Sequence, residues 1–312
     1  MKKLISTVLL VLVYTISGIQ LEAGEPVCHI MICCRSSNEG TKFLVNGEWN
    51  PAHDYKDIEQ VRGIMKNIRN AGINTVCVDM TNPSQWTRFW DGNFELMFEN
   101  VRTVCAETGM QYFVFIGAQL SDEIRENNNI PADVSAFEFW NDQAEIIWNN
   151  WVPDQAYRSY GFGDDRPILC VFLPSQSYWG AYDSAPPEEK TYLSQFHIGT
   201  MQVNDAIDFQ ESDGWGYRNY SQNTDGSVRF VSPNGGVNPA DPWYRIDEEV
   251  WRDRVAWAGE ASEYSIYGSY DDACDAIHWG IADTKDCSSE IKVYPGHDPY
   301  AYYKAVKEML VK

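Results

Sequence analysis

Three aspartates, Asp271, Asp272 and Asp275, fall within five positions of the run YSIYGSYDDACDAIHWG, residues 264–280, which contains no Lys or Arg. Acids without basic neighbours, set among aromatic residues, have three chemical readings. Two carboxyls in one crevice repel each other as anions, so one keeps its proton while the other ionises. That division of labour cleaves glycosidic bonds, with one group donating to the leaving oxygen and the other acting as base or nucleophile. Asp272 and Asp275 are three residues apart, which on a helical first turn puts their Cβ atoms about 5–6 Å from each other. Alternatively, three acids bind Ca²⁺, although the glycine and closing Glu of an EF-type loop are missing here. The third reading has them favouring a helix N-terminus and facing water.

Further polar and aromatic residues follow the ends of apolar runs elsewhere in the chain. Asp79 closes one such run and Gln119 follows the next. Tyr178 and Trp179 come after a third, Trp215 and Tyr217 lie in a fourth, and Asn234 follows a fifth. His278 and Trp279 end the acidic stretch. Flat aromatic rings stack on the C–H faces of sugars, and Asn, Asp and Gln bond their hydroxyls. Each residue also has a plainer role. Asp79 would cap a loop, Trp279 would fill a core layer, and His278 would be a surface histidine.

These residues need elements to carry them. Apolar runs at 28–34, 73–80, 110–118, 167–173, 196–203, 214–220, 228–233 and 264–270 read as strands. Between them, 54–72, 94–109, 135–151 and 246–261 carry apolar residues at helical spacing, and 298–312 reads as a closing helix with Asp298 as its N-cap. Trp140, Trp148 and Trp151 share one helix face and read as core. Strands that are apolar on both faces and alternate with helices imply a parallel sheet covered on its outside. Eight of them imply a (β/α)₈ TIM barrel as one domain, 24–312. A doubly wound sheet is the competing fold, but it wants a Gly-rich phosphate loop after the first strand, and CCRSSNEGTKF is not one. In a barrel the active site lies at the C-terminal ends of the strands, where all the residues above would gather.

The chain has 312 residues, 44 % hydrophobic and 14 % aromatic, with 12 Trp, which is enough for a large core. Its formal net charge of −21 disfavours nucleic acid and anionic lipid as partners. Residues 1–23 pair Lys2 and Lys3 with an apolar middle from Leu4 to Ile19, the pattern of a secretory signal peptide. A membrane anchor is the alternative, but the apolar run is short and interrupted by Thr15, Ser17 and Gly18. The expectation is export, to a secreted, periplasmic or cell-surface location, with no membrane insertion once the signal is removed. Cys77 and Cys170 lie in apolar strands and read as buried small residues. Cys274 and Cys287 bracket the acidic stretch and would close a loop there; Cys33-Cys34 are read as packed thiols, with a vicinal disulfide as the alternative. No Cys or His spacing suggests zinc, and no cofactor is expected.

The run Tyr270-Asp271-Asp272-Ala273-Cys274-Asp275 resembles the Trp-Asn-Glu-x-x-Glu or Trp-Asn-Asp-x-x-Glu signature that ends the barrels of glycoside hydrolase families 99 and 71, the endo-α-mannosidases and α-1,3-glucanases. VSPNGGVN, residues 231–238, is similar to the turn after strand seven in those families. The resemblance covers roughly the last third of the chain. It implies Asp272 as base or nucleophile-like acid and Asp275 as general acid. Asp271 stands where the signature has Asn, Asp275 where it has Glu, and Ala276-Ile277-His278 where Gly-Thr or Ser-His usually follows. The expected activity is hydrolysis of an oligosaccharide or polysaccharide. The alternative is a barrel that binds glycans without cleaving them. An esterase is disfavoured because no Gly-x-Ser-x-Gly elbow is present.

Overall fold

The computed structural model describes residues 27–32, 42–45, 48–51, 55–80, 92–116, 125–126, 129–173, 184–202, 220–222, 225–231, 248–267, 283–285 and 301–311. Its strands, in chain order, are β1 (Val27–Ile32), β2 (Lys42–Val45), β3 (Glu48–Pro51), β4 (Thr75–Asp79), β5 (Gln111–Ile116), β6 (Ser159–Gly161), β7 (Asp164–Leu173), β8 (His197–Gln202), β9 (Tyr220–Gln222), β10 (Val228–Val231), β11 (Tyr264–Tyr267) and β12 (Asp283–Lys285). The helices are α1 (Ile58–Asn70), α2 (Gly92–Thr108), α3 (Ala136–Asn150), α4 (Glu248–Ala258) and α5 (Ala301–Leu310).

The expected helices form where apolar residues recur every three or four positions. In α1 the buried residues are Val61, Ile64, Met65 and Ile68, and Asp57 caps the helix by accepting a 3.0 Å bond from the Glu59 N–H. In α2 they are Met97, Phe98, Val101, Val104 and Cys105. Ser135 caps α3, which buries Trp140, Ala144 and Ile147, with Trp151 buried just beyond its end and Trp148 packed against the core. The three tryptophans therefore have the core role expected of them. Among the described residues between β7 and β8 are two short 3-10 turns, Pro187–Lys190 and Leu193–Gln195, tied to α3 through Asn141, whose side chain accepts from the Tyr192 N–H at 2.6 Å.

Seven strands pair in parallel, in the order β8-β7-β5-β4-β1-β11-β10. The sheet is curled. Tyr160 stacks on His197, the first residue of β8, at 3.6 Å, and on Tyr264, the first residue of β11, at 5.2 Å. In a flat sheet those two strands, five steps apart, would be separated by about 24 Å at ~4.8 Å per step. One tyrosine ring could not bridge that gap, even with both partner side chains reaching inward. The curled parallel sheet and its outer helices are those of a (β/α)₈ barrel.

Strand pleating assigns the two faces. Tyr112 on β5 reaches the helical layer, packing edge-on against Phe98 at 5.6 Å and donating to Asp154 at 2.6 Å. Its neighbours Phe113 and Phe115 therefore face inward. Register carries that face to Cys77 on β4 and Cys170 on β7, so both cysteines are small filler among bulky rings. Cys77, Cys105 and Cys170 are buried free thiols. Cys28, Cys33, Cys34, Cys274 and Cys287 lie outside the described side chains, as do Asp298 and residues 1–23.

Two corrections concern antiparallel pairing. β9 runs antiparallel to β10, a pairing that was not expected, while residues 214–219 of the expected sixth strand lie outside the described residues. Only five residues, 223–227, connect the two, whereas a parallel crossover takes a dozen or more, so the pair must be a hairpin. The second correction is a separate three-stranded antiparallel sheet, β12-β2-β3, absent from the sequence reading. Val45 pairs with Glu48, leaving a two-residue connection filled by Asn46-Gly47, the residue types that tight hairpins require.

Candidate active site

Because the seven strands are parallel, their C-terminal ends share one rim. That rim begins at Ile32, Asp79, Ile116, Leu173, Gln202, Val231 and Tyr267. The strand ends at and below it are buried, with Val78, Met80, Phe115, Ile116, Phe230, Val231, Ile266 and Tyr267 all nearly inaccessible.

Asp79 is the last residue of β4, in register with Phe115. The next residue, Met80, still donates its N–H to the Phe115 carbonyl at 2.7 Å, so ladder bonding reaches the rim itself. The other candidates, Gln119, Tyr178, Trp179, Trp215, Tyr217, Asn234, Asp271, Asp272, Asp275, His278 and Trp279, lie outside the described residues. The chain bounds where they can be. Gln119 and Asn234 are each three residues past a strand end, a tether of roughly 10 Å, and Asp272 is five residues past Tyr267, roughly 17 Å. β9 bears on Trp215 and Tyr217. Tyr220 pairs with Val231, the C-terminal residue of β10, so the chain entering β9 comes from the same rim.

The best-defined polar cluster lies at the opposite mouth, where the strands begin. The β6–β7 hairpin folds under the barrel, with Phe162 at its tip in a left-handed conformation at φ 49°. Phe162 packs edge-on against Tyr160 and Tyr264 at 5.9 and 5.7 Å. Tyr160 donates its hydroxyl to Glu263, and Tyr264 donates to the Tyr160 carbonyl at 2.6 Å. The buried Arg158 bonds Gln111 and the Tyr264 hydroxyl. Asp164 faces Arg166 in a two-pronged pair, 2.6 Å at the shortest, and meets His197 Nδ1 at 3.0 Å.

The electrostatics follow from these contacts. Arg166 first, and His197 with it, hold the Asp164 carboxyl well below the usual carboxylate range, against a smaller opposing effect of burial. Burial pushes the Tyr264 hydroxyl up to about 12. On the outer layer, burial opposes ionisation of Asp154, but bonds from Arg102 and Tyr112 outweigh it and hold that carboxyl down. These groups are matched to permanent partners and fix the end of the barrel that in this fold carries stability rather than chemistry. Apart from the local Asp164–Arg166 pair, the partners lie 33 to 106 residues apart in sequence and left no local pattern to read. Among the described residues there is no group of three His, Cys, Asp or Glu that would hold a metal ion, and no helix long and apolar enough to cross a membrane.

No protein-family model matches the chain, and no curated protein is similar to it. Solved structures do resemble it. The GH99 endo-α-mannosidase from Bacteroides thetaiotaomicron superposes with a TM-score of 0.55 at 11 % identity, over 91 % of this chain and 96 % of that one. A second structure of that enzyme, in complex with Bis-Tris propane, gives a TM-score of 0.54 at 11 % identity over the same shares. At this identity the likeness is one of fold. It agrees with the distant resemblance read from the acidic run and extends the shared architecture well beyond the last third of the chain.

Proposed function

We propose that this chain is a glycoside hydrolase that cleaves O-glycosidic bonds in an oligosaccharide or polysaccharide, with Asp272 and Asp275 as its paired carboxyls. One observation carries the reading. The strand before the acidic run, β11, is an inner parallel strand between β1 and β10, so the chain leaving Tyr267 enters the rim where barrels of this kind do their chemistry. The kept three-residue gap between the acids and the fold shared with an endo-α-mannosidase support it.

In this mechanism Asp275 holds a proton and gives it to the leaving glycosidic oxygen. Asp272 stays ionised and acts on the opposite face, as base toward water or directly on the sugar. Repulsion between the two anions keeps the proton on one of them. Their carboxyl separation decides the stereochemistry: about 5–5.5 Å for retention and about 6.5–9.5 Å for inversion. Asp79, Gln119, Asn234 and Asp271 bond sugar hydroxyls, with His278 beside them. Tyr178, Trp179, Trp215, Tyr217 and Trp279 stack on ring faces. Residues 1–23 direct export, so the substrate is met outside the cytoplasm.

The test is digestion of a glycan panel read by mass spectrometry, beside Asp272→Asn and Asp275→Asn. Products from wild type and none from either variant support the proposal. Unchanged products from both variants overturn the assignment of the acids. The departures at Asp271 and Asp275 favour a second reading, a barrel that binds glycans without cleaving them. It predicts saturable oligosaccharide binding with no reducing ends released.

A further inference from the structure

The β6–β7 hairpin turns through Phe162-Gly163, two residues between the paired Gly161 and Asp164. Both have positive φ, 49° and 93°, the pattern of a tight type I′ connection. Such a turn favours Asn, Asp or Gly at its first position, because most L side chains crowd the backbone there. Here that position holds Phe162, and Gly161 before it is left-handed as well, at φ 79°. The turn alone does not account for a phenylalanine at its most crowded point.

The hairpin's own ladder does not hold this conformation either. β6 has three residues, and its register shifts between Ser159 and Gly161. Ser159 lies opposite Pro167, which has no N–H to give. A two-stranded ribbon of this size is marginal by itself. The contacts that fix it lie across the mouth of the barrel. Phe162 is half-buried and meets Tyr264 edge-on, and the Tyr264 hydroxyl donates to the Tyr160 carbonyl at 2.6 Å. Tyr160 donates to Glu263, whose carboxylate also accepts from the Ser227 hydroxyl at 3.3 Å. The Glu263 N–H donates to the Ser227 carbonyl at 2.9 Å, so the hairpin reaches the starts of both β10 and β11. On the near side, Tyr160 stacks on His197 at the start of β8.

The strands joined in this way are distant in the ladder. Among the described residues β8 pairs with β7 alone, whereas β4 and β5 are each paired on both sides. Side chains of the hairpin are what tie the start of β8 to β10 and β11.

We propose that the β6–β7 hairpin is a strained strap that latches the barrel across its N-terminal mouth, with Phe162 as the stopper, and that releasing it frees β8 while β4 and β5 stay folded. The left-handed Phe162 is the cost of placing a ring against Tyr264, and the clasp formed by Tyr160 and Glu263 holds that ring in place. Opening of this kind is a sub-global event, which amide exchange reads strand by strand.

Phe162→Asn relieves the turn and removes the stopper, so the two roles give opposite signs. If Phe162 served the turn alone, Asn would raise the melting temperature by about 2–4 °C. A lost stopper outweighs that relief, and we expect melting to fall by about 2–4 °C. Phe162→Leu keeps the left-handed conformation and loses only ring contacts, so melting should fall by a smaller amount. Exchange of the β8 amides should quicken relative to those of β4 and β5, at least tenfold in Phe162→Asn and at least threefold in Phe162→Leu. A rise in melting for Phe162→Asn overturns the inference. A fall with equal acceleration in β4, β5 and β8 overturns it as well, since Phe162 is then ordinary packing. If Phe162→Asn does not fold, Phe162→Leu decides by the same exchange ratio.

Discussion

Three glycines separate the cost of backbone conformation from the cost of crowding, and together they test how the last helix closes the barrel. Gly63 lies inside α1 on its exposed face, with nothing within 4 Å of an added Cβ. Gly63→Ala removes only the entropy penalty of glycine in a helix and should stabilise by about 0.5–1 kcal/mol. Gly109 follows α2 at φ +69°, again with open space around it. Gly109→Ala carries the left-handed backbone penalty alone, about 1 kcal/mol. Gly72 follows α1 at φ +88°, but a Cβ there would sit 2.5 Å from the Leu310 Cβ, 3.2 Å from the Leu310 carbonyl carbon and 3.3 Å from Val311. The end of α5 must move by nearly 1 Å, and overpacking of that kind adds about 1–3 kcal/mol to the backbone penalty. At about 2–4 °C per kcal/mol for a domain of this order, Gly63→Ala should raise the melting temperature by about 1–4 °C. Gly109→Ala should lower it by about 2–4 °C and Gly72→Ala by about 4–16 °C. Differential scanning calorimetry reads all three. If Gly72→Ala and Gly109→Ala fall by the same amount, the close packing of α5 on the end of α1 is wrong.

The remaining predictions use other sites. Asp272→Asn and Asp275→Asn should each lower kcat by about 10²–10⁴, the usual scale of general acid–base catalysis, with melting unchanged. Asp164→Asn should lose about 1 kcal/mol at pH 7, since its side chain is a quarter exposed. The folded carboxyl titrates well below its unfolded value near 4, so its contribution is complete above about pH 4 and is lost progressively as pH falls toward the depressed value; urea unfolding should show the full difference at pH 7 and a smaller one at pH 2. Tyr160→Phe keeps the stack on His197 and Tyr264 but removes the bond to Glu263, and should cost about 1.5 kcal/mol, or 3–6 °C in the same calorimetry.

The barrel was legible in the sequence because its signals are local. α1 shows its buried face as Val61, Ile64, Met65 and Ile68, and β4 reads as an unbroken apolar run because helices cover its outside. The strands that were missed are those whose partners are distant or whose pairing depends on a count. β12 has three residues, too few for any periodicity, and exists because Leu44 is there to receive it. β9 is also only three residues long, and the five residues separating it from β10 give its direction. The hairpin under the barrel was equally hidden, since Tyr160 gains its role from His197 and Tyr264, which sequence places far away. For the active site, sequence supplied residue types and their order after strand ends. Carboxyl spacing is set by tertiary contacts and has no sequence signature.

The pairing of Val27 with Tyr264 joins residues 237 positions apart. On a ribosome, or threading through a translocon, β1 emerges first and waits for β11 before both its flanks are satisfied. Until then a half-built sheet shows an open side able to zip onto another nascent chain. Recovery of native protein should therefore depend on how quickly synthesis delivers that late segment and on holdases that shield the early one. Slow, cool expression should favour soluble product over inclusion bodies.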